Sequence, residues 1–164
     1  MKSRRTTRIV YASGNTYSFI EVENRGKVYH NDDGPAVICP GNGSEWYRYG
    51  IRHRDDGPAV EYEDGTKYWY VNGNRHREDG PAIEWHDGDC DYFRNGKRHR
   101  LDGPAVIRTL PLSLGGRRYL YVNGKHLSNN DSYQKAVAHW LSYKEVTRED
   151  IINQIGNFRI VEWD

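Results

Sequence analysis

The chain has little of what fills an ordinary core. Its 164 residues include three Phe and one Met, only 36% are hydrophobic, and mean hydropathy is −0.97. That argues against a thick apolar interior, and taken alone would suit a disordered chain. Cysteine is scarce too. Cys39 and Cys90 show no paired spacing, so no disulfide framework is expected and a reducing cytosol is the natural compartment. Charge of either sign is not in excess: 24 Lys and Arg against 23 Asp and Glu leave +1, which removes any global electrostatic case for nucleic acid or membrane. No apolar run is long enough to span a bilayer, and no apolar stretch follows the basic start Lys2, Arg4, Arg5, Arg8, which reads as a solvated end. Nucleophile motifs are absent as well. Ser13-Gly14 and Ser113-Leu114-Gly115 lack a strand–turn–helix setting, and no glycine-rich phosphate loop opens a helix. Enzyme is therefore the least supported class, with no catalytic residue, cofactor or metal expected.

What is present is aromatic and periodic. Five Trp and 13 Tyr supply large buried areas per residue, a selection that suits strands. The stretch RHREDGPA from Arg75 recurs as RHRDDGPA from Arg52, RHRLDGPA from Arg98 and YHNDDGPA from Tyr29. Gly34, Gly57, Gly80 and Gly103 are 23 residues apart, as are His30, His53, His76 and His99. A fixed period of this size marks an array of one supersecondary unit.

Within a unit the pattern is that of hairpins. Val60-Glu61-Tyr62-Glu63 precedes Asp64-Gly65, and Lys67 to Val71 precedes Asn72-Gly73. Both dipeptides signal two-residue type I′ turns, and they recur at Asp87-Gly88, Asn95-Gly96 and Asn123-Gly124. With such turns, Val60 faces Trp69, Trp69 faces His76, and Tyr70 faces Arg75. One face then carries Trp46, Trp69, Tyr92 and Leu120 beside Val37, Val60, Ile83 and Val106, and is the expected core. The other carries Tyr47, Tyr70, Phe93 and Tyr121 against Arg52, Arg75, Arg98 and His126. The Asp-Gly-Pro step is expected to bend the strand, glycine taking backbone angles closed to other residues.

The expected fold is mainly β: an elongated antiparallel meander of 23-residue hairpin repeats over residues 1–127. Residues 1–26 form an N-terminal cap hairpin, with Ser13-Gly14-Asn15 as its turn. Residues 128–164 read as a C-terminal helical cap. Tyr133, Val137, Trp140 and Leu141 lie at helical spacing, a second short helix opens at Thr147, and Phe158 to Trp163 reads as a final strand. Leu110 to Leu114 expands one loop by five residues and is expected to lie against that cap.

The period, the aromatic–NGK–H motif and the two-strand unit resemble the membrane occupation and recognition nexus (MORN) repeat over Lys27 to Leu127. The units are a variant, with RHRxDGPA where the ordinary repeat has His-Gly-x-Gly. In this variant and in its tail the chain resembles small bacteriophage and bacterial proteins, some labelled antitoxin-like. The resemblance implies a one-sheet scaffold without enzymatic activity and names no ligand.

Repeated histidines invite a metal reading, which the pitch opposes. Equivalent residues two strands apart are separated by roughly 10 Å, whereas donors to one zinc ion lie within about 4 Å of one another. The Arg and Tyr columns could stack bases, yet RHRDD and RHRED each sum to zero, so these loops make no basic funnel. The leading reading is a non-catalytic interaction protein, a phage-type effector that binds and inhibits a host protein such as a defence enzyme or toxin. Its expected partner-binding residues are Tyr47, Arg52, Tyr70, Arg75, Phe93, Arg98 and Tyr121. Nucleotide or nucleic-acid binding through the same face is one alternative, and a structural or self-assembling role is another.

Overall fold

The computed structural model describes residues 5–101, 103–109 and 118–127. The expansion at Leu110 to Leu114 and the C-terminal cap over residues 128–164 lie outside the described residues. Within them the chain is all strand and turn, in an open antiparallel sheet, and no helix occurs.

Strands β1 (Thr7–Val10), β2 (Thr16–Val22) and β3 (Gly26–Tyr29) open the sheet, with β2 in the middle. Their first turn is the three-residue loop 12–14, one position earlier than the sequence suggests, closed by Tyr11 N–H on Asn15 O at 2.9 Å. From here four short strands recur. In the first set, β4 (Val37–Cys39) and β5 (Gly43–Glu45) join the sheet, while β6 (Tyr47–Arg48) and β7 (Ile51–Arg52) form a hairpin of their own. The next set is β8 (Val60–Tyr62), β9 (Lys67–Tyr68), β10 (Tyr70–Val71) and β11 (Asn74–Arg75). Then follow β12 (Ile83–Glu84), β13 (Cys90–Asp91), β14 (Phe93–Arg94) and β15 (Lys97–Arg98). Finally come β16 (Val106–Ile107), β17 (Arg118–Val122) and β18 (Lys125–Leu127). The main sheet runs β1-β2-β4-β5-β8-β9-β12-β13-β16-β17-β18, with β3 beside β2.

The two dipeptides make different turns. Asn72 and Gly73 both have positive φ, 49° and 78°, and give the expected two-residue turn with Tyr70 opposite Arg75. At Asp64-Gly65 only the glycine does, at 93°. The Asp64 carboxylate accepts the Thr66 N–H at 2.8 Å, so the connection is a three-residue loop of residues 63–65 ending in a glycine bulge. Val60 therefore faces Tyr68, not Trp69, a shift of one residue. The same holds at Asp87-Gly88, where Ile83 faces Asp91.

That shift reassigns a face. Cross-strand partners share a side of the sheet, so Tyr17, Val37, Glu45, Val60, Tyr68, Ile83, Asp91, Val106 and Tyr119 form one continuous row. The expected Trp/Val core is corrected accordingly: the Val and Ile column lies on the tyrosine side, where Ile83 packs with Phe93 and Tyr68. The buried spine is Ala36-Val37, Ala59-Val60, Ala82-Ile83 and Ala105-Val106, the four alanines of DGPA being wholly buried.

Trp46 and Trp69 are half-buried and roofed by cations instead. Arg54 lies over Trp46, Arg77 over Trp69 and Arg100 over Tyr92, each guanidinium carbon 4.1 Å from the ring centroid. Arg54 also donates to Pro58 O at 3.2 Å and to Asp56 and Glu61 at 2.8 and 3.0 Å, which closes the DDGP loop. Here lies the reason for the glycine. A Cβ at Gly57 would meet Arg54 Cζ at 3.0 Å, and one at Gly80 would meet Arg77 Cζ at 2.9 Å. Neither glycine has a left-handed φ, so what a side chain there would disturb is the arginine packed over it, not the backbone.

Candidate interaction face

The hairpins that stand outside the main sheet stack on one another through histidine. His53 Nδ1 accepts the N–H of Asn72 at 3.0 Å, and its Nε2 lies 2.9 Å from Asp55. With Nδ1 accepting, the ring proton belongs on Nε2, facing the carboxylate. Arg48 reaches the same carboxylate at 2.9 Å, so imidazole and guanidinium share Asp55 as their acceptor. His30, His76 and His99 accept from Tyr49, Asn95 and Asn123 in the same way, at 3.2, 3.1 and 3.1 Å. Arg48 and then His53 hold the Asp55 carboxyl below its ordinary range, and Arg94 and then His76 do so for Glu78. Each histidine is thus a fastener between successive units. Among the described residues no three His, Cys, Asp or Glu side chains gather as metal ligands would.

The stacking brings all seven sequence-predicted residues into one ladder. The Arg52 guanidinium carbon lies 5.7 Å from the Tyr47 ring and 5.8 Å from Tyr70. Arg75 Nε donates to the Tyr70 hydroxyl at 3.3 Å, and its guanidinium sits 5.5 Å from Phe93. Arg98 follows between Phe93 and Tyr121, at 5.7 and 5.4 Å. Rings and cations alternate, each cation facing the negative face of a ring. Phe93 is the exception in exposure: at 8% it belongs to the core and supports the ladder from beneath.

Sequence reasoning missed the far end of this ladder. Tyr29 continues it at 5.3 Å from Tyr47, Tyr17 stacks on Tyr29 at 6.1 Å, and Tyr11 meets Tyr17 edge-on at 5.6 Å. Ile9, Tyr11, Phe19, Tyr29 and Lys27 line an open groove of about 720 Å³ there. Tyr11 is 54% exposed and Tyr29 40%. Tyr29 opens the first DGPA copy, in the column of Arg52, Arg75 and Arg98, and the others lie outside the pattern; the signal for them was the aromatic alternation of Tyr17 and Phe19 along one strand. The stacking arginines Arg54, Arg77 and Arg100 were also missed, although they recur at the same period.

Electrostatics divides the three ladder arginines. Arg52 is paired with Glu45, Nε and Nη2 both 2.8 Å from one carboxylate oxygen. Arg98 is paired with Asp91 at 3.0 Å, and Arg108 holds the other oxygen of Asp91 at 2.6 Å. Burial pushes the Tyr47 phenol up to about 12, helped by its hydrogen bond to Glu45 at 2.7 Å. Arg75 has no carboxylate partner among the described residues. The face is thus broad, aromatic and nearly neutral, suited to contact and to isolated charge pairing.

No family model matches the chain, and neither the curated proteins nor the solved structures contain a match. Among the described residues no helix is long and apolar enough to cross a membrane.

Proposed function

We propose that this chain is a non-catalytic interaction protein that grips a partner protein along the ring-and-guanidinium face from Tyr11 to Tyr121. One observation carries the reading: rings and half-buried arginines follow one another along one side of the sheet, the rings exposed or half-exposed save the buried Phe93, with the mixed polar and aromatic groove at its end. Rigid aromatic and arginine side chains provide contact area at low ordering cost, the composition that protein interfaces favour. Following the resemblance of its HRxDGPA units to small phage proteins, the partner on this reading is a bacterial host protein, a defence enzyme or toxin, which binding inhibits. The pairing of Arg52 and Arg98 with internal carboxylates leaves few cations for phosphate, so a protein ligand is favoured over nucleic acid.

The test is affinity capture from bacterial lysate with the full chain and with a Tyr29→Ser/Tyr47→Ser variant. A stoichiometric protein recovered by the first and lost with the second is expected. Equal recovery by both, or nothing with either, would remove this reading.

A further inference from the structure

The row that runs under the ladder reads Glu45, Tyr68, Asp91 at equivalent positions of successive units. At two of the three the residue is an acid, and it neutralises the arginine above it. At the middle one it is tyrosine. Arg75 consequently sits 5.8 Å over the Tyr68 ring and 5.5 Å from Phe93, with the Tyr70 hydroxyl on its Nε and no acceptor on its terminal nitrogens among the described residues. A guanidinium half withdrawn from water between rings, without a counter-charge, is a site that gains from an anion.

We propose that Arg75 is the seat for a carboxylate of an acidic protein segment, an inference that rests on the partner-binding reading of this face. The neighbouring units are internal examples of the filled site. Glu45 lies 2.8 Å from both Nε and Nη2 of Arg52, and Asp91 lies 3.3 and 3.0 Å from the same atoms of Arg98. Because those neighbours are neutralised, the open site carries one positive charge, which a monoanionic carboxylate balances and a dianionic phosphate over-balances. The Tyr68 and Phe93 rings offer apolar walls to the methylenes of a glutamate. The fork of the guanidinium then fixes the direction from which that side chain enters.

The experiment follows the arginine Nε–H resonances of the full chain by NMR while acetate is added at constant ionic strength, with inorganic phosphate as the comparison. Arg75 should shift saturably, at about tenfold lower acetate than Arg52 or Arg98, the margin a charge-assisted hydrogen bond confers. Tyr68→Glu should silence Arg75. Glu45→Gln, a near-isosteric change that keeps the fold, should make Arg52 respond as Arg75 does. The idea is overturned if Arg75 responds no better than its neighbours, if Glu45→Gln leaves Arg52 unresponsive, or if phosphate saturates Arg75 before acetate does. The readout needs no partner, so a chain that shows it yet captures nothing from lysate separates this inference from the functional reading.

Discussion

The imidazole of His53 and the backbone N–H of Asn72 meet at 3.0 Å, a side chain of one unit closing a backbone bond of the next. The His53 side chain is 6% exposed while Asn72 is exposed, so removing the ring loses the bond and the ring's packing without stranding a buried donor. His53→Ala should cost about 1 kcal/mol in urea unfolding, the net worth of an ordinary hydrogen bond. Hydrogen exchange at Asn72 should accelerate with it. Unaltered exchange there would mean that the bond does not fasten the units.

Glycine in the DDGP loop should be tolerant or intolerant according to what lies above it. Gly57→Ala places a methyl 3.0 Å from Arg54 Cζ, which displaces the guanidinium from Trp46. The expected loss is about 1–2 kcal/mol, with a change in tryptophan emission. At Gly34 the nearest atom is Asn31 Nδ2 at 3.6 Å and φ is not left-handed, so Gly34→Ala should change stability by less than about 0.5 kcal/mol. Equal effects at the two sites would contradict the steric account.

Asp91 is 1% exposed and holds Arg98 and Arg108 at 3.0 and 2.6 Å. Asp91→Ala leaves Arg98 without its counter-charge and Arg108 with Asp89 alone, 3.3 Å away. It should destabilise the chain by about 2 kcal/mol, less than breaking a fully buried pair from one side because both guanidinium groups keep contact with water. Thermal melts at matched salt provide the check, and a loss comparable to that of Glu45→Ala on the more exposed pair would show Asp91 to be no special anchor.

Two pH limbs follow from the shifted groups. The carboxyls of Asp55, Asp56, Glu78 and Asp79 titrate below their ordinary values in the folded chain, each chiefly through a bond to Arg48, Arg54, Arg94 or Arg77. Their stabilisation is complete above the unfolded values, near 4, and is lost as pH falls through the lower folded ones. Tyr47 is shifted the other way, up to about 12, so its contribution is complete below its ordinary 10.0 and fades as pH rises through that interval. Melting temperature should fall at both ends, with Asp55→Asn flattening the acid limb and Tyr47→Phe the alkaline one. Limbs that keep their slopes in these variants would assign the titration to other groups.

Much of the architecture was legible because it is local. Asn72-Gly73, Asn95-Gly96 and Asn123-Gly124 announce their turns through positive φ at both residues. The pairing of Tyr70 with Arg75 follows by counting outward. Asp64-Gly65 and Asp87-Gly88 look alike on paper and behave otherwise, because an aspartate side chain can take the backbone N–H two residues on, at 2.8 and 3.0 Å, and hold itself out of the left-handed region. Tyr49-Gly50 shows the converse. A tyrosine with φ of 52° makes the same turn as asparagine, its ring stacked on His30 at 4.6 Å. All seven candidate residues fell on one ladder, yet the role of Phe93 as core was invisible without knowing which residue lies beneath it.

The sequence by itself determined the 23-residue period, the all-strand character of residues 5–101 and the column each side chain occupies, since these depend on neighbours along the chain. Only the tertiary structure decided which columns share a face, that Arg54 roofs Trp46 while Arg52 pairs with Glu45, and that Arg75 is left without an acid. The reason is physical: register across a sheet is set by the length of each loop. A single residue added to a loop carries every side chain beyond it to the opposite side.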